Sequence, residues 1–291
     1  MSRARVAVVG SYGVGLTFEL HRVPERGETV TGDTFRTDPG GKGSNQAVGA
    51  ARLGAQVDFL TAVGDDDFGE AALALWRDEG VRADAVVRVP LPTMVGAILV
   101  GPAGDNRIVI VPGALSALAP AHVDGFAEPI AAADVLLVQL EIPVETAWRA
   151  LAVAREAGVR TVLNPAPAPR EPLAAEMVAL ADYLTPNETE AASIGDAVSA
   201  ATSVVLTLGD EGARIEREHV PAFSARPVDT TGAGDAFNAA FAVALAEGRS
   251  DREAVRWGCA AGAHNVEHAG VIAGLPRREE LECRLEGAAV A

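Results

Sequence analysis

Asp229-Thr230-Thr231-Gly232-Ala233-Gly234-Asp235-Ala236-Phe237 is the stretch on which the reading of this chain turns. It follows an extended-looking Arg226-Pro-Val and leads into an alanine-rich helical run, Ala236 to Ala246. Gly232, Ala233 and Gly234 therefore fall at a helix N terminus, where the first amides lack intrahelical partners and the dipole adds about half a positive charge. Amides bare of side chains suit a phosphate or a developing oxyanion. Asp235 stands in the first turn of the same helix. A carboxylate beside an anion hole is awkward unless it accepts a proton there, although Asp is also common in helix first turns. The stretch alone leaves both readings open.

Working outward, the 291 residues suffice for one large α/β domain or two small ones, and 49% hydrophobic with 22% charged residues gives an ample core. The net charge of −16 argues against nucleic-acid or anionic-membrane partners. Cys259 and Cys283 have no metal-type spacing, and two thiols in so long a chain point to a reducing compartment. The opening Met-Ser-Arg-Ala-Arg-Val-Ala-Val-Val-Gly reads as a first core strand rather than a signal peptide, and no apolar stretch reaches membrane-spanning length. A cytoplasmic protein is expected.

Apolar runs suited to buried strands occur at Arg5–Val9, Val57–Val63, Val135–Leu140, Arg160–Leu163, Asp182–Leu184 and Ser203–Leu208. Helical patterns are expected at Ser44–Leu53, Asp67–Glu79, Val144–Ala157, Pro172–Ala181, Ala236–Glu247, Asp251–His268 and Pro276–Leu285. Such alternation implies a mostly parallel sheet with helices on both faces, binding ligands at the carboxyl ends of its strands. Two regions break the pattern. Glu28–Phe35 alternates as a strand would, and Met94–Val100, the turn Gly104-Asp-Asn and Arg107–Val111 read as a hairpin. Together they predict a small separate sheet, a lid whose apolar face invites dimerisation.

Several glycine-rich segments carry chemistry. Gly10-Ser-Tyr-Gly13-Val-Gly15 has the wrong order and no following helix for a dinucleotide site. Gly40-Gly41-Lys42-Gly43-Ser44 is not a Walker A loop, because glycine follows the lysine. It leads into a helix whose Asn45 and Gln46 amides are placed to grip hydroxyls. Asn187 and Glu190 have capping-box spacing, or organise a hydrated Mg²⁺. Thr207-Leu-Gly209-Asp210-Glu-Gly212 ends a strand in a turn suited to a nucleotide, and Glu141 ends another strand at the binding edge.

In this order the pieces resemble the ribokinase family of sugar kinases, the phosphofructokinase-B type, essentially end to end. The resemblance rests on Gly40-Gly-Lys-Gly-Ser-Asn45-Gln-Ala-Val-Gly-Ala-Ala-Arg-Leu-Gly54 and Asp229-Thr-Thr-Gly-Ala-Gly-Asp235-Ala-Phe. Gln139-Leu-Glu141, Leu163-Asn-Pro-Ala-Pro-Ala168 and Thr185-Pro-Asn-Glu-Thr-Glu190 lie between. It implies a ribokinase-like three-layer α/β/α sandwich with a mostly parallel central sheet, residues 1–291 forming one kinase domain. The β lid would come from about residues 12–38 and 88–111, and would form a homodimer. The implied activity is transfer of the γ-phosphoryl of ATP to a hydroxyl of a pentose-like sugar. Asp235 would be the base, with the amides of Gly232, Ala233, Gly234 and Asp235 as anion hole. Gly41, Lys42, Gly43, Asn45 and Glu141, with Asp235, would contact the sugar. Asn187, Thr207, Gly209, Asp210, Gly212, Gly234 and Cys259 would bind ATP, Cys259 at the adenine. Glu190 would hold Mg²⁺ through water. Asp229, Thr231, Asn265, His268, Gly270 and Gly274 would hold a monovalent cation such as K⁺, His268 through its backbone.

One departure bears on the substrate. Such kinases usually carry Asn-x-Asp after the first strand, the Asp gripping two sugar hydroxyls, whereas this chain has Gly13-Val-Gly15. Each charged hydrogen bond lost would cost about 1.5–3 kcal/mol. The substrate lacks those hydroxyls, is bulkier there, or meets another group such as Asp38, which reads rather as a loop residue. Leu115 likewise stands where a polar residue is usual. A nucleoside or other polyol is the alternative substrate, and a non-catalytic sugar-binding relative the alternative class.

Overall fold

The computed structural model describes residues 3–102 and 105–287. A nine-stranded sheet runs, edge to edge, Glu218–Val220, Ala213–Ile215, Ser203–Thr207, Tyr183–Leu184, Arg160–Asn164, Val135–Gln139, Arg5–Val9, Gln56–Leu60 and Val81–Arg82. All neighbours pair parallel except the hairpin-linked pairs at the Glu218 edge. Alternate side chains of Arg5–Val9 enter opposite layers. Val6 and Val8 join the core under the helices Lys42–Arg52, Ala233–Ala246 and Asp251–Asn265. Ala7 and Val9 join the core under Val144–Ala157. The expected α/β sandwich is therefore present, and the carboxyl ends of the strands carry Gly10, Glu141, Asn164, Thr185 and Thr207 to one edge.

The helix Ala233–Ala246 is buried at every position from Asp235 to Leu245. That explains its alanines: a helix enclosed on all sides needs small side chains to let neighbours approach. At Gly49 an added Cβ would lie 2.8 Å from the Ala239 Cβ, and at Gly258 it would lie 2.6 Å from the Phe237 ring. The Lys42 helix is thereby pressed against the Asp235 helix. At its other end a Cβ on Gly43 would lie 2.5 Å from the Ser11 amide nitrogen. Glycines at both contacts let the two helix N termini meet over the end of the Arg5 strand.

A second sheet has four strands in the order Thr34–Gly40, Gly13–Glu19, Val95–Val100, Asn106–Val111. The hairpin is present, though Gly104 of its expected turn lies outside the described residues. The strand expected at Glu28–Phe35 is displaced to Thr34–Gly40, and the glycines Gly13 and Gly15 lie within a strand. Backbone pairing along Leu16–Glu19 carries them, although glycine weakens a strand by itself. Asp38 is thus a strand residue rather than a loop residue, directly opposite Gly15.

Other boundaries shift for physical reasons. The run Val57–Val63 breaks after Leu60, because Ala62–Gly64 turns away to pair with Val87–Val89. The helix expected at Pro172–Ala181 shrinks to Ala175–Val178, and the one expected to reach His268 ends at Asn265. Arg226-Pro-Val belongs to no strand. No helix among the described residues is long and apolar enough to cross a membrane.

Candidate active site

The helix Ala233–Ala246 begins at Gly232, whose φ of 87° is the left-handed conformation that favours glycine, and no side chain caps it. A Cβ on Gly234 would meet nothing within 4 Å, so the surface over these amides is open. Asp235, in the first turn, is buried and accepts two amide donors: Asn45 Nδ2 to Oδ2 at 2.8 Å and Gln46 Nε2 to Oδ1 at 2.9 Å. The side-chain amides of the Lys42 helix, expected to face a ligand hydroxyl, are thus turned to the carboxylate. Asn45 Oδ1 remains buried without a partner among the described residues.

Burial raises the Asp235 carboxyl above its usual range, against the opposing pull of Lys42, Gln46 and Asn45. Burial also pulls the Lys42 ammonium down, but the carboxylates of Asp235, Glu141 and Glu190 outweigh it and leave it raised. Glu190 is likewise raised by burial. Three carboxylates and one ammonium therefore share this end of the sheet.

Glu141 Oε2 accepts from the Lys42 amide at 2.9 Å and from Ser11 Oγ at 2.5 Å. Ser11 in turn accepts the Ser44 amide through its carbonyl at 2.8 Å. These two residues satisfy the N terminus that the Lys42 helix, starting after Gly41, cannot cap itself. Ser11 was not singled out from the sequence; its only signal is its place one residue past the glycine that ends the first strand.

Asn187 and Glu190 form a reciprocal capping box, Oδ1 accepting the Glu190 amide at 2.8 Å and Oε2 accepting the Asn187 amide at 2.9 Å. A parallel bridge joins Asn187 to Thr207, and the Leu208 amide bonds the Gly212 carbonyl at 2.8 Å, closing a turn through Gly209 and Asp210. Cys259 is buried in the core, its Sγ 4.0 Å from the Val220 carbonyl and its thiol pushed up to about 12 by burial.

On the far side of Gly232, Asp229 accepts the Thr231 amide at 2.9 Å and the Gly270 amide at 3.1 Å. Burial would raise this carboxyl, yet those bonds hold it below its usual range. Asn265 donates to the Val271 carbonyl at 3.2 Å, while its buried Oδ1 has no partner among the described residues. A Cβ on Gly274 would collide with the Asn265 amide at 2.6 Å. The His268 ring turns back on its own segment, stacked on His264 with its Nδ1 2.9 Å from the His264 carbonyl.

A parallel α/β sandwich that aims an uncapped helix N terminus and a buried carboxylate at one edge has the features a group-transfer enzyme acting on an anionic donor needs. The chain belongs to the pfkB family of carbohydrate kinases, whose family model matches residues 3–278. Ribokinase of Bacillus subtilis (strain 168) is 41% identical over 288 residues, covering 95% of this chain and 98% of that relative. A deoxyribokinase of Salmonella typhi is 36% identical over 258 residues, 81% of this chain and 84% of its own length. Arabidopsis thaliana ribokinase complexed with ribose and ATP matches with a TM-score of 0.91 at 32% identity, covering 98% of this chain and 99% of that one. The protein is an ATP-dependent carbohydrate kinase with the ribokinase fold.

Proposed function

We propose that the acceptor is a hydroxyl of a pentose, ribose or a near relative such as 2-deoxyribose, with Asp235 as the base. The observation that carries this is the Asp235 carboxylate, buried beside an uncapped helix N terminus and raised toward proton affinity. As the hydroxyl oxygen bonds to the γ-phosphorus, its proton passes to Asp235 and the bond to the bridging oxygen of ADP breaks. The amides of Gly232, Ala233, Gly234 and Asp235 meet the charge on the transferring group. Phosphoryl transfer asks chiefly for such positioning and electrostatics.

Gly41, Lys42, Gly43, Asn45 and Glu141 would hold the sugar, the unpartnered Asn45 Oδ1 being free to accept from a hydroxyl. Asn187, Thr207, Gly209, Asp210, Gly212 and Gly234 would line the ATP site, with Cys259 in the wall beneath the base. Glu190 commits one oxygen to its cap and would hold hydrated Mg²⁺, which needs few protein carboxylates and supplies charge neutralisation at the phosphates. The orphaned Asn265 Oδ1 and the surrounding oxygens fit K⁺, with Asp229, Thr231, Gly270, Gly274 and the His268 backbone completing the site.

The four-stranded sheet would close over the sugar as a lid. Phe35, Ile108, Val109, Ile110 and Val111 are all about half exposed or more, an apolar band that fits pairing of two lids in a homodimer.

The test is ATP consumption over ribose, 2-deoxyribose, hexoses, polyols and nucleosides, with and without K⁺. Highest kcat/KM on a pentose, raised by K⁺, is expected. Preference for a nucleoside would instead assign the open space at Gly15 to substrate bulk. If no acceptor supports turnover, the pentose reading fails.

The two glycines are not equivalent. A Cβ on Gly13 would lie 2.3 Å from Met94 Cε and 3.0 Å from the Met94 carbonyl, so that position is filled. On Gly15 it would meet only Ile98 Cδ1 at 3.5 Å and the Asp38 carbonyl at 3.7 Å, ordinary contacts. Gly15→Asp therefore fits, and its KM for ribose is expected to fall about tenfold, one charged hydrogen bond being worth about 1.5–3 kcal/mol. An unchanged or higher KM would show that Asp38, already ion-paired with Arg36 at 2.9 Å, excludes a second carboxylate.

A further inference from the structure

Beneath the site lies a run of buried amides and a hydroxyl. Gln139 Nε2 donates to Gln46 Oε1 at 2.5 Å. Gln46 Nε2 donates to Asp235 Oδ1 at 2.9 Å and to Asn164 Oδ1 at 3.1 Å. Asn164 Nδ2 donates to the Thr185 carbonyl at 3.1 Å, and Thr185 Oγ1 donates to Asn238 Oδ1 at 2.6 Å. Asn238 Nδ2 closes the circuit on the Gly234 carbonyl at 2.8 Å, one residue from Asp235. Gln46 and Gln139 have no exposed surface at all, and Thr185 and Asn238 are nearly as buried.

An amide has a polarity that matters here. With its oxygen occupied by Gln139, Gln46 has only its NH₂ to offer the carboxylate; turned over, it would set a lone pair against a lone pair. Asn164, accepting from the same NH₂, reinforces that orientation. Gln139 Oε1 has no partner among the described residues, but Asn164 is anchored on a backbone carbonyl and fixes Gln46 in turn, and paired buried amides of this kind are rigid. The chain starts on the strand Val135–Gln139, passes through the Lys42 helix and the strand Arg160–Asn164, and returns to the Asp235 helix. It locks the base to three elements at once.

We propose that Gln46, oriented by Gln139 and Asn164, is a positioning residue for Asp235: with Asn45 donating to Oδ2, its donation to Oδ1 fixes the plane in which the carboxylate meets the substrate proton. This rests on Asp235 being the base. Lys42, Glu141 and Glu190 face the same carboxyl, and the Asp251–Asn265 helix packed behind it buries one titratable group, the protonated Cys259. A donor to the ionised form favours that form, so its removal makes the carboxylate more basic.

Gln46→Met keeps length and bulk without a donor. Its kcat is expected to fall about tenfold or more while KM for ATP and sugar stays within about twofold, and the acid limb of kcat to move about one pH unit upward. In an Asp235→Asn background the same change is expected to cost nothing further. Equal losses in both backgrounds would show a merely structural role and overturn the proposal, as would wild-type kcat with an unmoved acid limb. If Gln46→Met does not fold, Gln139→Met serves, since it never touches Asp235 and only frees the Gln46 amide to turn. A smaller fall in kcat with the same sign of pH shift is expected, and wild-type behaviour there would overturn the oriented chain. Full activity in Asp235→Asn alone would instead sink the reading of Asp235 as base, so the two failures are distinguishable.

Discussion

Asp235→Asn is expected to lower kcat by ~10²–10⁴, the range for loss of a general base, and to leave ATP affinity near that of the wild type. The change is isosteric and removes the capacity to take a proton together with one of the negative charges that face Lys42. The pocket can absorb the new amide. Asp235 Oδ2 now accepts from Asn45 Nδ2, and Asn45 carries an unpartnered Oδ1. Turning the Asn45 amide over offers that oxygen to the introduced NH₂, at the expense of the sugar hydroxyl it would accept from, while Gln46 keeps its acceptor at Oδ1. The anion hole is backbone, so it survives the substitution. Steady-state kcat with calorimetric ATP binding separates these effects. Undiminished turnover would remove Asp235 from the chemistry, and loss of ATP binding would show that the carboxylate supports the helix N terminus instead.

Arg52→Met is expected to cost about 3 kcal/mol of stability at neutral pH, the scale for stranding one partner of a largely buried ion pair. Arg52, in the last turn of the Lys42 helix, grips Glu79 through two bonds of 2.5 and 2.9 Å. Its remaining nitrogen donates to the carbonyls of Ile272 and Leu275 at 2.5 and 3.0 Å. One guanidinium thus ties together two helix ends and the segment that carries Gly270 and Gly274. Methionine keeps the apolar stem but leaves a largely buried carboxylate and the Leu275 carbonyl unmatched, the Ile272 carbonyl keeping only the Leu275 amide. The pH dependence has a definite sign. The Glu79 carboxyl is held below its ordinary 4.5 by the Arg52 hydrogen bonds, against the opposing effect of burial. Its contribution is therefore fully present above that ordinary value and lost as pH falls through the depressed one. Denaturant unfolding of both proteins is expected to show a gap that is full at neutral pH and narrows in acid. A gap below about 1 kcal/mol, or one indifferent to pH, would mark the pair as solvated.

The helix beginning at Gly232, the alternation of strands and helices, and the hairpin Val95–Val111 were all legible because each is written in local periodicity or in residues with special backbone chemistry. What was misread depended on distant partners. Val57–Val63 looks continuous, yet Ala62 leaves the sheet because Val87 offers a new edge. Asp38 reads as a loop residue, yet pairing directly opposite Gly15 makes it part of a strand. Asn45 and Gln46 were visible as amides at a helix start, but nothing local says which way an amide faces.

The amino-acid sequence by itself determined that a carboxylate would stand in the first turn of a bare helix N terminus at the carboxyl edge of a parallel sheet. It did so because helix starts, glycine turns and buried strands have short-range signatures. Only the tertiary structure decided what that carboxylate touches. Gln46 and Asp235 are 189 residues apart in the chain, and they meet because Gly49 lets the two helices approach at Ala239 while Gly43 lets the first of them settle on the backbone of Gly10 and Ser11. Such a meeting depends on packed volumes and on the direction of each donor, and neither is set until the whole core has formed.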